Sequence, residues 1–390
     1  MTKHILISGG AVHAYLDDIK IITNKFKGGL MADLVGTFVK LAEQKKADVH
    51  VTYLCSKNSQ QPWWDEFLGG EETPYLTCVH HNGIDDYMEK VLALTPDMDA
   101  VVLGAAVANL IPKNKIEGKF PSHNYKEGDT IPIDFTIAPR IIDRVKEVAP
   151  KTLLFGYKLL ENVGYDELIS AAYGVLLESK AVTVFANDTM DLMMKYAVTK
   201  ERGVHPIHNK EVAGWILDRM DEKYYQTVFD PNEFILDFKK EEFIKLVKKH
   251  KHLFTHTPEG YIFGCVAKRI HLKGTVKKDS FFTTIRGKNE IESCTIVKNV
   301  DHEKCFIEIP IGYPRASLNT PLLHKIFEER TDVDSIVHYH GNKRDLITQA
   351  YATPGTNKDA MRSVMTIHPS FNIKGHGCIL SFDKEGNLLK

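Results

Sequence analysis

The first 220 residues alternate short β-branched runs with longer segments of helical periodicity. Five of these runs have the length and composition of buried strands: 4–8, 49–54, 100–103, 152–157 and 182–186. Helical segments lie between and after them, near 30–45, 83–94, 139–148, 165–179 and 209–220. Because successive parallel strands are joined by right-handed helical crossovers, this rhythm predicts a doubly wound α/β sheet that binds ligands at the carboxyl ends of its strands.

The rhythm ends after about residue 220, and Asp230-Pro231-Asn232 is typical of a turn. We therefore predict a first domain over 1–225, a linker over 226–239 and a second domain over 240–390. The second region opens with a helical segment and continues with strand-like runs joined by longer connections. This pattern predicts a second domain of the α/β or α+β class, without the repetition of the first.

Composition excludes several classes of function. The 390 residues carry 50 Lys plus Arg against 51 Asp plus Glu, so no overall basic field favours nucleic acid or an anionic membrane. The longest apolar run, 100–108, is far short of the roughly 20 residues of a membrane span. The N-terminus lacks a secretion signal, and the six cysteines form no CxxC pair. We expect a cytosolic protein with reduced thiols and no nucleic-acid or membrane partner.

Glycine pairs and lysines follow the predicted strands of the first half. Gly9-Gly10 and Gly28-Gly29 could bring backbone N–H groups close to an anion, although tight turns are the more common use of such glycines. Small residues at 104–108 would let a base or ribose approach the backbone. Lys113, Lys115 and Lys119 fall within seven residues and fit either a triphosphate site or a solvated basic loop.

In their order, these motifs resemble phosphopantothenoylcysteine synthetase. The family's small-Gly-Gly turn corresponds to 8–11, its Ile-Ser/Thr-Asn to 22–24, and its Ala-Ala-Val-Ala/Ser-Asp to 105–109. Its Lys-Ile-Lys-Lys corresponds to 115–118, its Gly-Phe-Lys-Leu to 156–159 and its Ala-Asn-Asp to 186–188. Asn109 replaces the family's Asp, and Lys119 stands in for a missing lysine of the basic run. The resemblance covers about 1–220 and implies a Rossmann-like fold.

The resemblance also implies an activity and a set of site residues. The family joins 4'-phosphopantothenate to cysteine, using Mg²⁺ with CTP or ATP, through an acyl-nucleotide intermediate in coenzyme A biosynthesis. Asn24 would hold the acyl phosphate and Lys115 the triphosphate. The implied nucleotide-binding residues are Gly9, Gly10, Gly28, Ala106, Asn109, Lys119, Tyr157, Lys158 and Asn187. Between CTP and ATP the motifs do not decide.

Three histidines of the second half have the pattern of a metal site. His338 and His340 lie at i and i+2 on a β-run, so their rings project from one face, and His376 lies between two glycines. Three imidazoles with an open fourth position suit Zn²⁺ or another divalent metal ion. Ordinary core or surface histidines are the competing interpretation.

The second half resembles the class II aldolase and adducin family. The family's Asp-Val-x-x-Val-Val-His-x-His corresponds to 332–340, its later glycine-flanked histidine to 375–377, and its phosphate loop to 284–287. Asn319 stands where the family has a Glu, and an amide is not a general base. Altered lyase chemistry, a binding module and an oligomerisation domain all remain open. Both families commonly form oligomers, which implies a homo-oligomer here.

Three functions compete at this point. The first is a phosphopantothenate–cysteine ligase fused to a metal-binding, aldolase-like domain. The second is a metal-dependent aldolase or epimerase acting on a phosphorylated sugar, regulated by the nucleotide-binding half. The third is a nucleotide-sensing scaffold without catalysis. We favour the first, because its motifs are the more complete.

Overall fold

The computed structural model describes residues 2–62, 73–200, 203–231, 237–257, 260–271, 280–361 and 367–390. The chain forms two units, Met1–Met220 and Asp221–Lys390. None of the helices in these described ranges combines the length and apolar character of a membrane span.

The first unit is built on one large sheet. Its strands are β1 (Lys3–Ser8), β2 (Val49–Ser56), β3 (Leu76–His81), β4 (Ala100–Leu103), β5 (Leu153–Leu160), β6 (Thr183–Asp188), β7 (Met194–Thr199) and β8 (Val204–His208). Its helices are α1 (Gly29–Glu43), α2 (Gly83–Leu94), α3 (Ile141–Val148), α4 (Tyr165–Ser179) and α5 (Val212–Met220). All five predicted strands and all five predicted helical segments are present.

The strand order is β8-β7-β6-β5-β4-β1-β2-β3. Strands β1 to β6 are parallel and have the 3-2-1-4-5-6 order of a dinucleotide-binding sheet, so the predicted doubly wound α/β fold is confirmed. The chain leaves β1 in one direction and β4 in the other. The crevice between their carboxyl ends is therefore the position at which such a sheet binds ligands.

Three strands of this sheet were not predicted from the sequence. β3 is a largely exposed parallel strand at one edge, and β7 and β8 extend the other edge in antiparallel fashion. The central strands are buried on both faces, and on each face an apolar cluster packs the sheet against its helices. Burial on both faces explains why the central runs are apolar and why the edge strand β3 lacks that signal.

The second unit contains a mainly antiparallel sheet in the order β12-β11-β10-β15-β18-β17-β16, with β19 paired to β18. These strands are β10 (Cys265–Arg269), β11 (Phe281–Thr284), β12 (Cys294–Val297), β15 (Ser335–Tyr339), β16 (Thr348–Gln349), β17 (Phe371–Ile373), β18 (Gly377–Phe382) and β19 (Leu388–Leu389). A smaller sheet contains β9 (Gln226–Asp230), β13 (Asn299–Asp301) and β14 (Phe306–Pro310). The helices are α6 (Asp237–His250), α7 (Thr320–Glu329) and α8 (Asn357–Ala360).

The segment predicted as a linker, 226–239, begins with β9 and ends inside α6. β9 pairs in parallel with β14, so the second unit starts before residue 240. Residues 232–236 of that segment lie outside the described residues.

A substitution at Gly28 tests the backbone contact at the crevice. Gly28 has φ +87°, and a Cβ there would lie 2.4 Å from the backbone nitrogen of Gly10. We expect Gly28→Ala to lower the free energy of unfolding of the first unit by about 3 kcal/mol or more, through backbone strain and the clash together.

The matched control is Gly128→Ala, where φ is +91° but no atom lies within 4 Å of the added Cβ. Strain alone should cost about 1 kcal/mol there. Urea unfolding followed by circular dichroism measures both. Equal losses in the two variants would mean that the close approach to Gly10 contributes nothing.

Candidate functional site

A pocket of about 720 Å³ lies in the crevice between the diverging strands of the first unit. Seven of the residues predicted to bind substrate or nucleotide line it: Asn24, Gly28, Ala106, Asn109, Tyr157, Lys158 and Asn187. They come from the loops or strand ends after β1, β4, β5 and β6. Because the carboxyl ends of parallel strands meet at one edge, residues distant in sequence converge there.

The loops after β1 and β4 are hydrogen-bonded to each other. The Ala106 N–H donates to the Gly10 carbonyl over 2.8 Å, and Gly28 packs directly on the Gly10 backbone. Side chains larger than hydrogen would separate these backbones. Gly9 and Gly10 thus support the crevice rather than line it.

Asn24 is fixed against the loop after β4. Its Nδ2 donates to the Ala106 carbonyl over 3.0 Å. A side-chain amide has a second N–H and an oxygen acceptor, which remain for a ligand at the pocket. The Asn24 amide therefore favours a ligand group that is polar and rich in oxygen atoms.

The N-terminus of α1 forms another part of the pocket wall. Gly28 is the residue before the helix, in the left-handed conformation, and Gly29, Leu30 and Met31 also line the pocket. The first N–H groups of a helix have no partner within the helix, and the helix dipole adds partial positive charge. This end of a 15-residue helix therefore favours an anion.

The opposite wall contains aromatic and amide groups from β5 and β6. The Tyr157 hydroxyl is buried without a hydrogen-bond partner in the described part of the chain, and burial raises the pKa of this phenol. Its ring lies 5.1 Å from that of Phe185, centroid to centroid. An unpaired buried hydroxyl is costly, so a ligand that supplied a partner would gain affinity here.

Sequence reasoning missed Lys195, which adjoins this wall. Lys195 is fully buried on β7; its Nζ donates to the Leu192 carbonyl over 3.2 Å and lies 5.9 Å from the centroid of the Tyr157 ring. Burial lowers its pKa to about 8. Also missed were four polar residues that line the pocket: Lys27, Asp33, Gln60 and Asn209. None belongs to a motif, and only the fold brings them to the crevice.

The predicted lysine loop lies outside this pocket. Lys115 forms an ion pair with Asp18 over 2.5 Å and lines a smaller pocket of about 190 Å³; Lys119 lines neither. The structure therefore does not bring Lys115 together with Asn24. The buried carboxylate of Asp17 organises the loop, accepting from the Phe120 N–H over 2.9 Å, and these hydrogen bonds hold its pKa well below the usual range.

The three predicted metal ligands of the second unit form one cluster. The ring centroids of His338, His340 and His376 lie 4.7 to 5.3 Å apart, and one possible ligand atom from each lies within 4.8 Å of the others. His338 and His376 are buried and His340 is half-buried. Burial lowers the pKa of His338 to about 3 and that of His340 to about 4, which keeps both rings neutral.

The orientation of His338 fits a metal ligand. Its Nδ1 lies 3.1 Å from the Cys378 carbonyl and donates to it, while Nε2 is buried without a hydrogen-bond partner in the described residues. A metal-ligating histidine usually donates its other ring N–H to a carbonyl in this way. The donor set therefore fits a divalent metal ion of the zinc type.

Asn319 lies beside this cluster. It is buried, precedes α7 and contacts the Cys265 thiol, and Cys265 pairs with His338 between neighbouring strands. Lys288, which sequence reasoning missed, is also buried and donates to the Gly264 carbonyl. Its positive charge contributes to the lowered pKa of His338 and His340. A cation at this position favours an anionic ligand.

Comparisons with known proteins identify the family of the first unit. Residues 1–219 match the family model of the DNA/pantothenate metabolism flavoprotein C-terminal domain, which is more than half of the chain. The chain belongs to this family. The coenzyme A biosynthesis bifunctional protein CoaBC of Thermococcus kodakarensis is 29% identical over 188 residues, 47% of this chain and 41% of that protein. The chain thus matches less than half the length of that curated relative.

Two solved structures are similar to parts of this chain. The DNA/pantothenate metabolism flavoprotein from Streptococcus pneumoniae is 21% identical with a TM-score of 0.46, covering 56% of this chain and 98% of that one. An L-fuculose 1-phosphate aldolase is 17% identical with a TM-score of 0.29, covering 38% of this chain and 76% of that one.

The buried Lys195 predicts a pH dependence. Its folded-state pKa of about 8 is below the ordinary 10.5, so above pH 8 the unfolded chain holds more protons. The buried charge of Lys195 therefore lowers the free energy of unfolding in full below pH 8, and this loss diminishes as the pH rises from about 8 to 10.5. From pH 7.5 to pH 9 we expect the first unit to gain about 1 kcal/mol, which Lys195→Met should abolish.

Urea unfolding at the two pH values measures this gain. Lys151→Met removes an exposed lysine of the same unit and serves as the control. If Lys195→Met retained the wild-type dependence, another group would be responsible for it.

Proposed function

We propose that the first unit is a phosphopantothenate–cysteine ligase using CTP or ATP. One observation carries the proposal: Asn24, the N-terminus of α1 and Lys158 line the same crevice. This crevice lies in the part of the chain that matches the family model. This combination offers an amide, a helix N-terminus and a cation to a phosphorylated substrate and a nucleotide.

The chemistry needs positioning more than a protein nucleophile. The carboxylate of 4'-phosphopantothenate attacks the α-phosphate, pyrophosphate leaves, and the cysteine amine then displaces the nucleoside monophosphate from the acyl carbon. Asn24 would bind the acyl phosphate, and α1 with Lys158 would neutralise phosphate charge. Asp33 in the pocket would be an oxygen ligand for a Mg²⁺ ion bound with the nucleotide, and such an ion would neutralise further phosphate charge.

The remaining predicted residues have supporting roles in this proposal. Asn109, Tyr157 and Asn187 would contact the nucleotide, next to Ala106, while Gly9, Gly10 and Gly28 keep the loops close. Lys115 and Lys119 would bind the triphosphate only if the loop moved, and Lys115 would then exchange Asp18 for phosphate.

Pyrophosphate release tests the ligase. Purified protein receives 4'-phosphopantothenate, cysteine and Mg²⁺, with CTP and ATP in separate reactions. We expect cysteine-dependent release with at least one nucleotide, and Asn24→Ala should lower kcat about 100-fold or more because it removes a preorganised polar contact.

The control is Asn124→Ala, which removes an amide from an exposed turn away from the pocket. No release from the wild-type protein with either nucleotide would contradict the ligase. Wild-type turnover by Asn24→Ala would exclude that residue from the reaction.

We also propose that His338, His340 and His376 bind a divalent metal ion, with Zn²⁺ the best fit. Such an ion, when bound, would polarise a substrate oxygen as a Lewis acid. His338 would be held by Cys378, and Lys288 would attract the anionic part of the substrate. With Asn319 in place of a carboxylate, binding of a phosphorylated sugar is better supported than its cleavage.

Metal analysis separates the two units. We expect His338→Gln to lose one equivalent of zinc relative to the wild type, while the exposed-site variant His252→Gln and Asn24→Ala lose none. Unchanged zinc content in His338→Gln would overturn the metal site. If the principal activity is instead cleavage of a sugar phosphate, His338→Gln rather than Asn24→Ala should remove it.

The homo-oligomer and the cytosolic location inferred from the sequence remain predictions. Sedimentation equilibrium of the full chain tests the first.

A further inference from the structure

A second group of possible metal ligands lies in the second unit and belongs to none of the sequence motifs. It consists of His302, which follows β13, and of His324 and Glu328, which are four residues apart on α7. One possible ligand atom from each of the three lies within 4.8 Å of the others. Residues at i and i+4 share a helix face, so α7 presents both of its members to the loop that carries His302.

The two imidazoles are already at nearly metal-bridging separation. His302 Nε2 and His324 Nδ1 lie 3.0 Å apart, and one donates to the other. Two nitrogens bound at about 2.0–2.1 Å around a tetrahedral zinc ion are roughly 3.3 Å apart. To hold an ion in place of the shared proton, the two nitrogens would have to separate by only a few tenths of an ångström, and the rings would have to turn so that both lone pairs point at the ion.

Tyr225 holds His302 in the orientation that a ligand needs. Its hydroxyl lies 2.6 Å from His302 Nδ1, so the remaining nitrogen, Nε2, faces His324. A hydrogen bond to the distal ring nitrogen fixes the tautomer and orientation of a metal-bound histidine. His324 is buried and packs 6.2 Å, centroid to centroid, from the Phe281 ring. Both rings are thus restrained.

The charges around the cluster are compatible with a cation. Burial lowers the pKa of His302 and His324, so both rings are neutral at pH 7. Glu328 bonds Lys325 Nζ over 2.7 Å, and this bond lowers the pKa of the carboxyl. Lys325 also contacts Glu329 over 2.8 Å, so it keeps an anionic partner if Glu328 turns to an ion. Asp301 adds negative charge near His302, whereas Arg269 adds positive charge near His324.

We propose that His302, His324 and Glu328 form a second divalent-metal site of the chain, with Zn²⁺ as the preferred ion and Tyr225 as a positioning residue. The site offers two nitrogens and one carboxylate oxygen and leaves a fourth position open. The competing account is a hydrogen-bonded relay of Tyr225, His302 and His324 that stabilises the fold without an ion.

Zinc counting on the full-length protein tests the proposal. Metal-free wild type, Glu328→Gln and Glu329→Gln are loaded with ZnCl₂, freed of loosely bound ion by dialysis and analysed for metal content. Glu328 is exposed, so its variant should fold. We expect Glu328→Gln to hold one equivalent fewer than both the wild type and Glu329→Gln, whose carboxylate is the neighbouring partner of Lys325.

The comparison is independent of the three-histidine cluster. If that cluster binds zinc, the count falls from two to one; if it does not, the count falls from one to zero. A second variant, Tyr225→Phe, should keep the site but weaken its zinc affinity about 10- to 100-fold. Equal zinc content in Glu328→Gln and Glu329→Gln would overturn the proposal and leave the relay as the explanation.

Discussion

The close approach of two backbones at the divergence of β1 and β4 governs the architecture of the first unit. Gly28 lies so near the Gly10 nitrogen that only hydrogen fits between them, and the Gly10 carbonyl accepts from Ala106. Because Asn24 also donates to the Ala106 carbonyl, one contact region joins two parts of the connection between β1 and α1 to the loop after β4. The start of α1, the Asn24 amide and the loop after β4 therefore share one crevice wall.

The second unit obtains its polar sites differently. Its histidines lie within or beside packed apolar clusters, where burial keeps the imidazoles neutral and their lone pairs available. In each group of histidines, one ring is fixed by a hydrogen bond. His338 bonds the Cys378 carbonyl, and His302 bonds the Tyr225 hydroxyl. Neutral, oriented nitrogens in a dry surrounding are what a borderline cation requires.

Sequence reasoning found strands such as Ala100–Leu103, because burial on both faces leaves an apolar run. The structure places Asn187, which was selected because it follows such a run, in the lining of the pocket, and its role there stays a prediction. It missed Leu76–His81, whose exposed positions and polar residues lack that signal. It grouped Lys115 with the phosphate site because lysines cluster there, whereas a local ion pair with Asp18 holds that side chain elsewhere in this structure. The three-histidine cluster was predicted from the sequence because two of its members, His338 and His340, lie on one strand.

The sequence by itself determined the order of the buried strands and helices of the first unit and the i, i+2 spacing of His338 and His340, because these are local properties of the chain. Tertiary structure alone decided which side chains share a site. Lys195 reaches the Tyr157 wall, Asp17 orders the lysine loop and His324 meets His302 through contacts between segments that no periodicity links. Such pairings depend on how sheets and helices pack, and the spacing of residues along the sequence does not reveal which segments pack together.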